Sequence, residues 1–198
     1  ELLRKFADVT VEEAEIVKKI EREGYEGIPA TNHDVKAVEY FLKMKLKDTS
    51  LADVTEWIHF ALTSEDINSL SYGIALRPAL EKVILPTLEK IRESLEVLAK
   101  EHADTPMLSR THGQSATPTT FGKEMRVFES RLARQIEQLK SRTILVKLGG
   151  ATGNFNAHAI AAPDVDWLKF GHTLIANLNE GRTVKLEYNP ITTQIEPH

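Results

Sequence analysis

Two stretches of the sequence, from about Ser64 to His102 and from Thr117-Pro118 to about Leu148, carry apolar residues at helical spacing for longer than any other pattern in the chain. Amphipathic helices of such length are not stable alone, because each apolar stripe must be laid against another. In the second stretch the stripe is Phe121, Met125, Phe128, Leu132, Ile136 and Leu139. A long-helix bundle, completed by other subunits where one chain leaves a stripe uncovered, satisfies that demand. The chain is therefore expected to be all-α.

The remaining pattern agrees. A first helix is expected over Val9 to Glu23, with Val9, Ile16, Val17 and Ile20 on its buried face and Gly24 and Gly27 after it. A second follows Thr31-Asn32 and stops near Asp48, burying Val35, Val38, Phe41 and Leu42. A third covers Leu51 to Leu62, with Val54, Trp57, Ile58 and Leu62 inward. Pro78 and Pro86 mark break or kink points in the first long helix, since each ring removes a backbone donor and clashes one turn back. Thr105-Pro106 ends that helix, and Thr117-Pro118 supplies an N-cap and a first-turn proline for the next, which runs to Gly149-Gly150. Asp164 to Leu178 reads as a shorter helix. Thr183 to Tyr188 alternates Val184, Leu186 and Tyr188 with polar residues and is the one strand expected.

With 198 residues the chain is long enough to bury a core of its own. The absence of Cys removes disulfides, thiolate nucleophiles and sulfur-ligated zinc, and fits a reducing compartment. Charges of both signs are interspersed, with a net charge of -4, which argues against a general nucleic-acid binder. No apolar run reaches the ~18 residues of a membrane span, and no secretory signal pattern opens the chain. A soluble, cytoplasmic protein with no membrane contact is expected. Because it starts at Glu1 and stops at Pro197-His198, it is expected to be a piece of something larger.

Polar residues that are costly to bury gather in four places at helix ends or in loops, where sites on helical scaffolds are built. They are Thr31-Asn32-His33-Asp34, His59 with Thr63-Ser64-Glu65-Asp66, Ser109-Arg110-Thr111-His112-Gly113-Gln114, and Asn189-Pro190-Ile191-Thr192-Thr193-Gln194. Thr63-Ser64 places two hydroxyls beside the free first-turn amides of a long helix, a seat for a carboxylate or phosphate. The same residues also read as a plain N-cap with a capping carboxylate at Asp66. A cap accounts for Thr31 and Asp34 but not for His33 between them. His112, followed by Gly on a loop leading into a helix, presents an accessible ring suited to acid or base work near neutral pH, although a lone loop His is more often only a surface residue.

Other chemistries lack their partners. Glu56-Trp57-Ile58-His59 is half of a di-iron bundle motif with no second copy, so no metal is expected. Gly149-Gly150-Ala151-Thr152-Gly153 has neither the following Lys-Ser/Thr nor the preceding strand of a phosphate-cradling loop. No Gly-x-Ser-x-Gly elbow appears.

The segments Thr31-Asn32-His33-Asp34-Val35-Lys36-Ala37-Val38-Glu39-Tyr40-Phe41-Leu42, His59-Phe60-Ala61-Leu62-Thr63-Ser64-Glu65-Asp66-Ile67-Asn68, Ser109-Arg110-Thr111-His112-Gly113-Gln114 and Thr192-Thr193-Gln194-Ile195-Glu196-Pro197-His198 resemble, in order, those of the adenylosuccinate lyase family of the fumarase/aspartase superfamily, in its long bacterial and plant type. The resemblance implies an all-α homotetramer with a central bundle of long helices and active sites shared between subunits. It implies cleavage of adenylosuccinate to AMP and fumarate, and of the succinyl-carboxamide ribotide in purine biosynthesis, by anti β-elimination without metal or organic cofactor. By position, His112 matches the general acid, and Thr63 and Ser64 match residues that hold a succinyl carboxylate. Asn32, His33 and Asp34 match a nucleotide-binding segment, Gln194 a substrate-binding amide, and His59 and Thr111 neighbours of the site.

Residues 1–51 would be part of the N-terminal helical domain and 52–198 the first part of the central helical-bundle domain. The family's base, a Ser within Ser-Ser-x-Met-Pro-x-Lys-x-Asn-Pro, has no counterpart here, nor has the Arg-Tyr segment that contacts the nucleotide phosphate. The alternative to a lyase portion is therefore a catalytically inactive helical assembly fragment or shortened paralogue.

Overall fold

The computed structural model describes residues 6–195. Helix α1 (Val11–Arg22) opens on a capping box in which the Thr10 hydroxyl accepts the Glu13 N–H at 3.2 Å and the Glu13 carboxylate accepts the Thr10 N–H at 3.1 Å. Helix α2 (Asp34–Leu46) packs on it around Ile20, Ala37 and Phe41, with Ile16, Val17, Tyr25 and Leu42 at the edge. Val9 and Val38, expected inward, are exposed. A 3-10 helix, Ala52–His59, stands where an α-helix is expected over Leu51 to Leu62, and its Trp57 is exposed, stacking on Phe60 at 4.7 Å.

The first long helix is three consecutive helical pieces: α3 (Ser64–Ala79), a π-turn over Leu80–Ile84, and α4 (Leu85–Glu101). Neither proline ends it. Pro78 lies inside α3, two residues before the widened turn, and Pro86 falls directly after it in the first turn of α4, so the helix takes up the two rings by widening a turn and not by ending.

The second long helix corrects the sequence reading. It begins at Phe121, not at Thr117-Pro118, because Gln114–Thr120 forms a strand, β2, paired antiparallel with β1 (Pro106–Thr111). The cap is Thr120, whose hydroxyl accepts the Lys123 N–H at 3.2 Å, and Pro118 sits opposite Leu108 on a ribbon with only one partner, where proline is tolerated. Helix α5 (Phe121–Lys140) then packs along α4, with Ile136 buried and Arg92 reaching Glu129 at 3.0 Å.

Two strands, β3 (Ile144–Val146) and β4 (Leu186–Tyr188), form a second small sheet. Between them lie α6 (Asn156–Ala161) and α7 (Trp167–Leu178), the latter starting three residues after the expected Asp164. The fold is mostly helical, as expected, with two ribbons added.

The described residues form two compact units. One comprises residues up to Ser71 with Val146–Thr173 and Tyr188 onward; the other comprises Tyr72–Leu145 and Leu174–Glu187. In the second unit, Arg77 is buried and donates to the Leu178 carbonyl at 2.8 Å, and the Glu81 carboxylate accepts the Thr183 and Val184 amides at 2.9 and 2.8 Å. No helix among the described residues is long and apolar enough to cross a membrane.

Candidate functional site

In the first unit, Asn32 takes a left-handed backbone, φ 49°, which turns the chain into α2 and sets His33 as its N-cap. The Thr31 hydroxyl donates to the His33 carbonyl at 3.0 Å, and Asp34 caps its neighbour by accepting the Val35 N–H at 2.8 Å. His33 Nδ1 accepts the Lys36 N–H at 3.3 Å and lies 3.2 Å from Asp34 Oδ1. The imidazole Nε2 lies 2.9 Å from the Ser64 hydroxyl oxygen. The contact ties the Ser64 hydroxyl to the imidazole beside the first-turn amides of α3.

The cap reading of Thr63-Ser64 is realised. Asp66 caps the turn by accepting the Thr63 N–H at 3.0 Å, yet the cap uses the backbone and a carboxylate and leaves both hydroxyls out. His59 is half-buried, with Nδ1 3.1 Å from a carboxylate oxygen of Glu39. Burial works against the charge of Glu39, which is only 4% exposed, but hydrogen bonds from Lys36 at 2.8 Å and Lys43 at 2.9 Å outweigh it and hold the carboxyl below its usual range. Glu56, the other half of the di-iron-like spacing, is taken by Lys43 at 2.8 Å. Among the described residues no group of three or more His, Cys, Asp or Glu could hold a metal ion.

Beneath the turn is a network that sequence reasoning missed. Asp66 and Lys147 are both fully buried, 2.6 Å apart, and the Asp66 carboxylate also accepts the Gly149 and Gly150 amides at 3.1 and 3.0 Å. The available signal was a single cation inside the apolar run Ile144-Leu145-Val146-Lys147-Leu148, directly before two glycines. The loop that follows passes so close to the Thr192 carbonyl that a Cβ on Gly153 would lie 2.5 Å from it. The segment bearing Gln194 is thereby placed against this loop. Gln194 itself is exposed, and Glu196-Pro197-His198 of the same motif lie outside the described residues.

His158 is a second buried group that no spacing revealed. It is 2% exposed, edge-on to Phe155 and Trp167 at 5.4 and 4.8 Å, and its Nδ1 has no hydrogen-bond partner among the described residues. Burial pushes its pKa down, so the folded protein holds it neutral while the unfolded chain protonates it near the ordinary value of 6.5. Stability from this group is complete above pH 6.5 and is lost as the pH falls toward the depressed folded value, with a slope of about 1.4 kcal/mol per pH unit. Thermal unfolding at pH 7.5 and 5.5 checks this. His158→Phe, which keeps the ring packing, should lose less stability than the parent over that interval; equal losses would place the titration elsewhere.

In the second unit, Thr111 and His112 lie at the tip of the β1–β2 hairpin rather than on a loop entering a helix. His112 and Gly113 have φ of 50° and 76°, a two-residue turn with both central residues left-handed, and Thr111 pairs with Gln114 across it. Both side chains are exposed. The structure thus brings Asn32, His33, Asp34, Thr63 and Ser64 together in one unit and carries His112 and Thr111 on the other.

Compared with known proteins, residues 4–186 match the model of the lyase family. The chain is similar to the adenylosuccinate lyase of Haemophilus influenzae, 49% identical over 183 residues that make up 92% of this chain and 37% of that protein. It is 48% identical over 193 residues to the adenylosuccinate lyase of Escherichia coli K12, covering 97% of this chain and 40% of that one. Thus the chain spans about 40% of the length of these curated relatives. Among solved structures, the 3-carboxy-cis,cis-muconate lactonizing enzyme of Pseudomonas putida superposes with a TM-score of 0.64 at 23% identity, covering 92% of this chain and 37% of that one. A fumarate lyase from Mesorhizobium gives 0.61 at 24%, covering 88% and 41%. At these identities the structural likeness speaks for the fold.

Proposed function

The chain belongs to the lyase family, and from that premise we propose that it is the substrate-binding and acid-bearing part of an adenylosuccinate lyase. The observation that carries this reading is the 2.9 Å contact between His33 and Ser64, which joins two motif segments far apart in sequence into one polar surface at the start of α3. The relatives named adenylosuccinate lyase, 48 to 49% identical over nearly the whole chain, support it.

In this reading the reaction is an anti β-elimination. A base takes the proton from the succinyl carbon next to a carboxylate, that electron pair becomes the new C=C bond of fumarate, and the C–N bond breaks with its pair going to nitrogen. His112 gives that nitrogen a proton, while the Ser64 and Thr63 hydroxyls and first-turn amides hold a succinyl carboxylate. Asn32, His33 and Asp34 hold the nucleotide part, Gln194 offers its amide to the substrate, and His59 and Thr111 stand near the site. The accepting base comes from residues this chain does not contain. The same chemistry serves the succinyl-carboxamide ribotide of purine biosynthesis, in a cytoplasmic homotetramer whose subunits share active sites and need no metal or cofactor. Residues 1–51 and 52–198 then belong to its N-terminal and central helical domains.

The test is ligand selectivity. With both Thr63 and Ser64 replaced by Ala in the completed enzyme, inhibition by fumarate and the KM for adenylosuccinate should weaken by about tenfold or more, through loss of charge-assisted bonds. AMP, which lacks the succinyl group, should inhibit as before. Equal losses for all three would reduce the two residues to a helix cap.

A further inference from the structure

We propose that Lys147 is a positioning residue, fixing the Thr63-Ser64 turn against the Gly149-Gly150 backbone through the carboxylate of Asp66. Asp66 accepts four bonds from two segments far apart in sequence: the Thr63 N–H of its own turn, and Lys147 Nζ, Gly149 N–H and Gly150 N–H of the 147–150 stretch. Both carboxylate oxygens are used, two donors on each. Lys147 Nζ also lies 3.4 Å from the Gly150 carbonyl, and the Lys147 N–H donates to the Ser69 hydroxyl at 3.3 Å, one turn further along α3. The ammonium therefore touches the cap of α3 and the glycine loop at once.

Packing does not require this arrangement. A buried ion pair costs desolvation that its attraction barely repays, and apolar residues of similar volume often serve stability as well. What the pair does, and apolar residues cannot, is hold four donors at one point. A neutral side chain at 147 would leave the Asp66 charge uncompensated in the interior, and relief would come by letting the amides part from it. The amide nearest the two hydroxyls is that of Thr63, so loss of Lys147 displaces the turn on which the carboxylate seat is built. A displacement of about 1 Å in a positioned group can cost on the order of 100-fold.

The ligand half of this proposal rests on the function proposed above; the structural half does not. In the 198-residue chain, amide hydrogen exchange of Thr63, Gly149 and Gly150 should be slow and should rise together in Lys147→Met, while α1 and α2 amides stay protected. Because a lone buried carboxylate can unfold the unit, the double variant Asp66→Asn/Lys147→Met removes both charges. It should fold and still expose these amides, and Lys147→Arg should restore much of the protection. In the completed enzyme, fumarate inhibition should weaken by about 10- to 100-fold in the double variant, with AMP inhibition unchanged. Protected amides, or fumarate inhibition equal to the parent's, would overturn the assignment. If the parent enzyme is not inhibited by fumarate at all, it is the proposed function that fails, and the exchange data still decide whether Lys147 holds the turn.

Discussion

Replacing His112 by Asn in the completed enzyme is expected to lower kcat by ~10²–10⁴-fold, the range a positioned general acid contributes, with KM changed little. The backbone makes this substitution unusually clean. His112 and Gly113 are the two left-handed residues of the hairpin turn, and Asn tolerates that conformation better than any other side chain except Gly. Asn-Gly is the preferred pair for such a turn, so the variant should fold as well as the parent or better while losing the only group at the tip that can deliver a proton. Turnover and KM, measured beside the thermal midpoint, separate the two effects. A kcat within threefold of the parent's would remove His112 from the role, and a fall in the thermal midpoint would contradict the turn argument.

The same turn shows why part of the site was hidden from the sequence. Thr111 to Gln114 is legible as a motif, but its placement depends on whether Gln114–Thr120 continues toward the helix or pairs back on Pro106–Thr111, which is decided by cross-strand contacts. Thr117-Pro118 carries a valid helix-start signal and loses to that pairing. Thr120, three residues on, carries an equally valid one and wins. The long helices were legible because a stripe such as Phe121, Met125, Leu132 and Ile136 has only one periodic reading. The His33–Ser64 contact was not, since it joins residues 31 positions apart. Asp66 is legible as a cap, and it is one, but its bonds to Lys147, Gly149 and Gly150 span more than 80 positions and leave no local trace.

The isolated 198-residue chain is expected to show no adenylosuccinate cleavage above background and to self-associate. The first half follows from proton balance. Elimination needs a base on the succinyl carbon as well as an acid on the nitrogen, and effects of groups that act as a unit are far from additive, so an intact His112 does not compensate for the missing Ser-bearing motif. The second half follows from the helices of the second unit. Although α4 and α5 cover one another along Ile136 and the Arg92–Glu129 pair, Phe128 remains 52% exposed on α5. Tyr72 is 69% exposed on α3, and Ile74, Leu76, Val83, Ile91 and Val97 are further exposed apolar residues along the first long helix. Large apolar side chains left uncovered in this number favour association in water. Loss of adenylosuccinate absorbance tests the activity, and sedimentation over a range of concentrations tests the association. Phe128→Glu with Tyr72→Glu should shift the chain toward monomer, since both side chains are already exposed and neither supports the core. Clear turnover by the fragment would mean that a base exists within these residues, whereas a monomer at all concentrations would mean that the exposed stripes satisfy themselves within one chain.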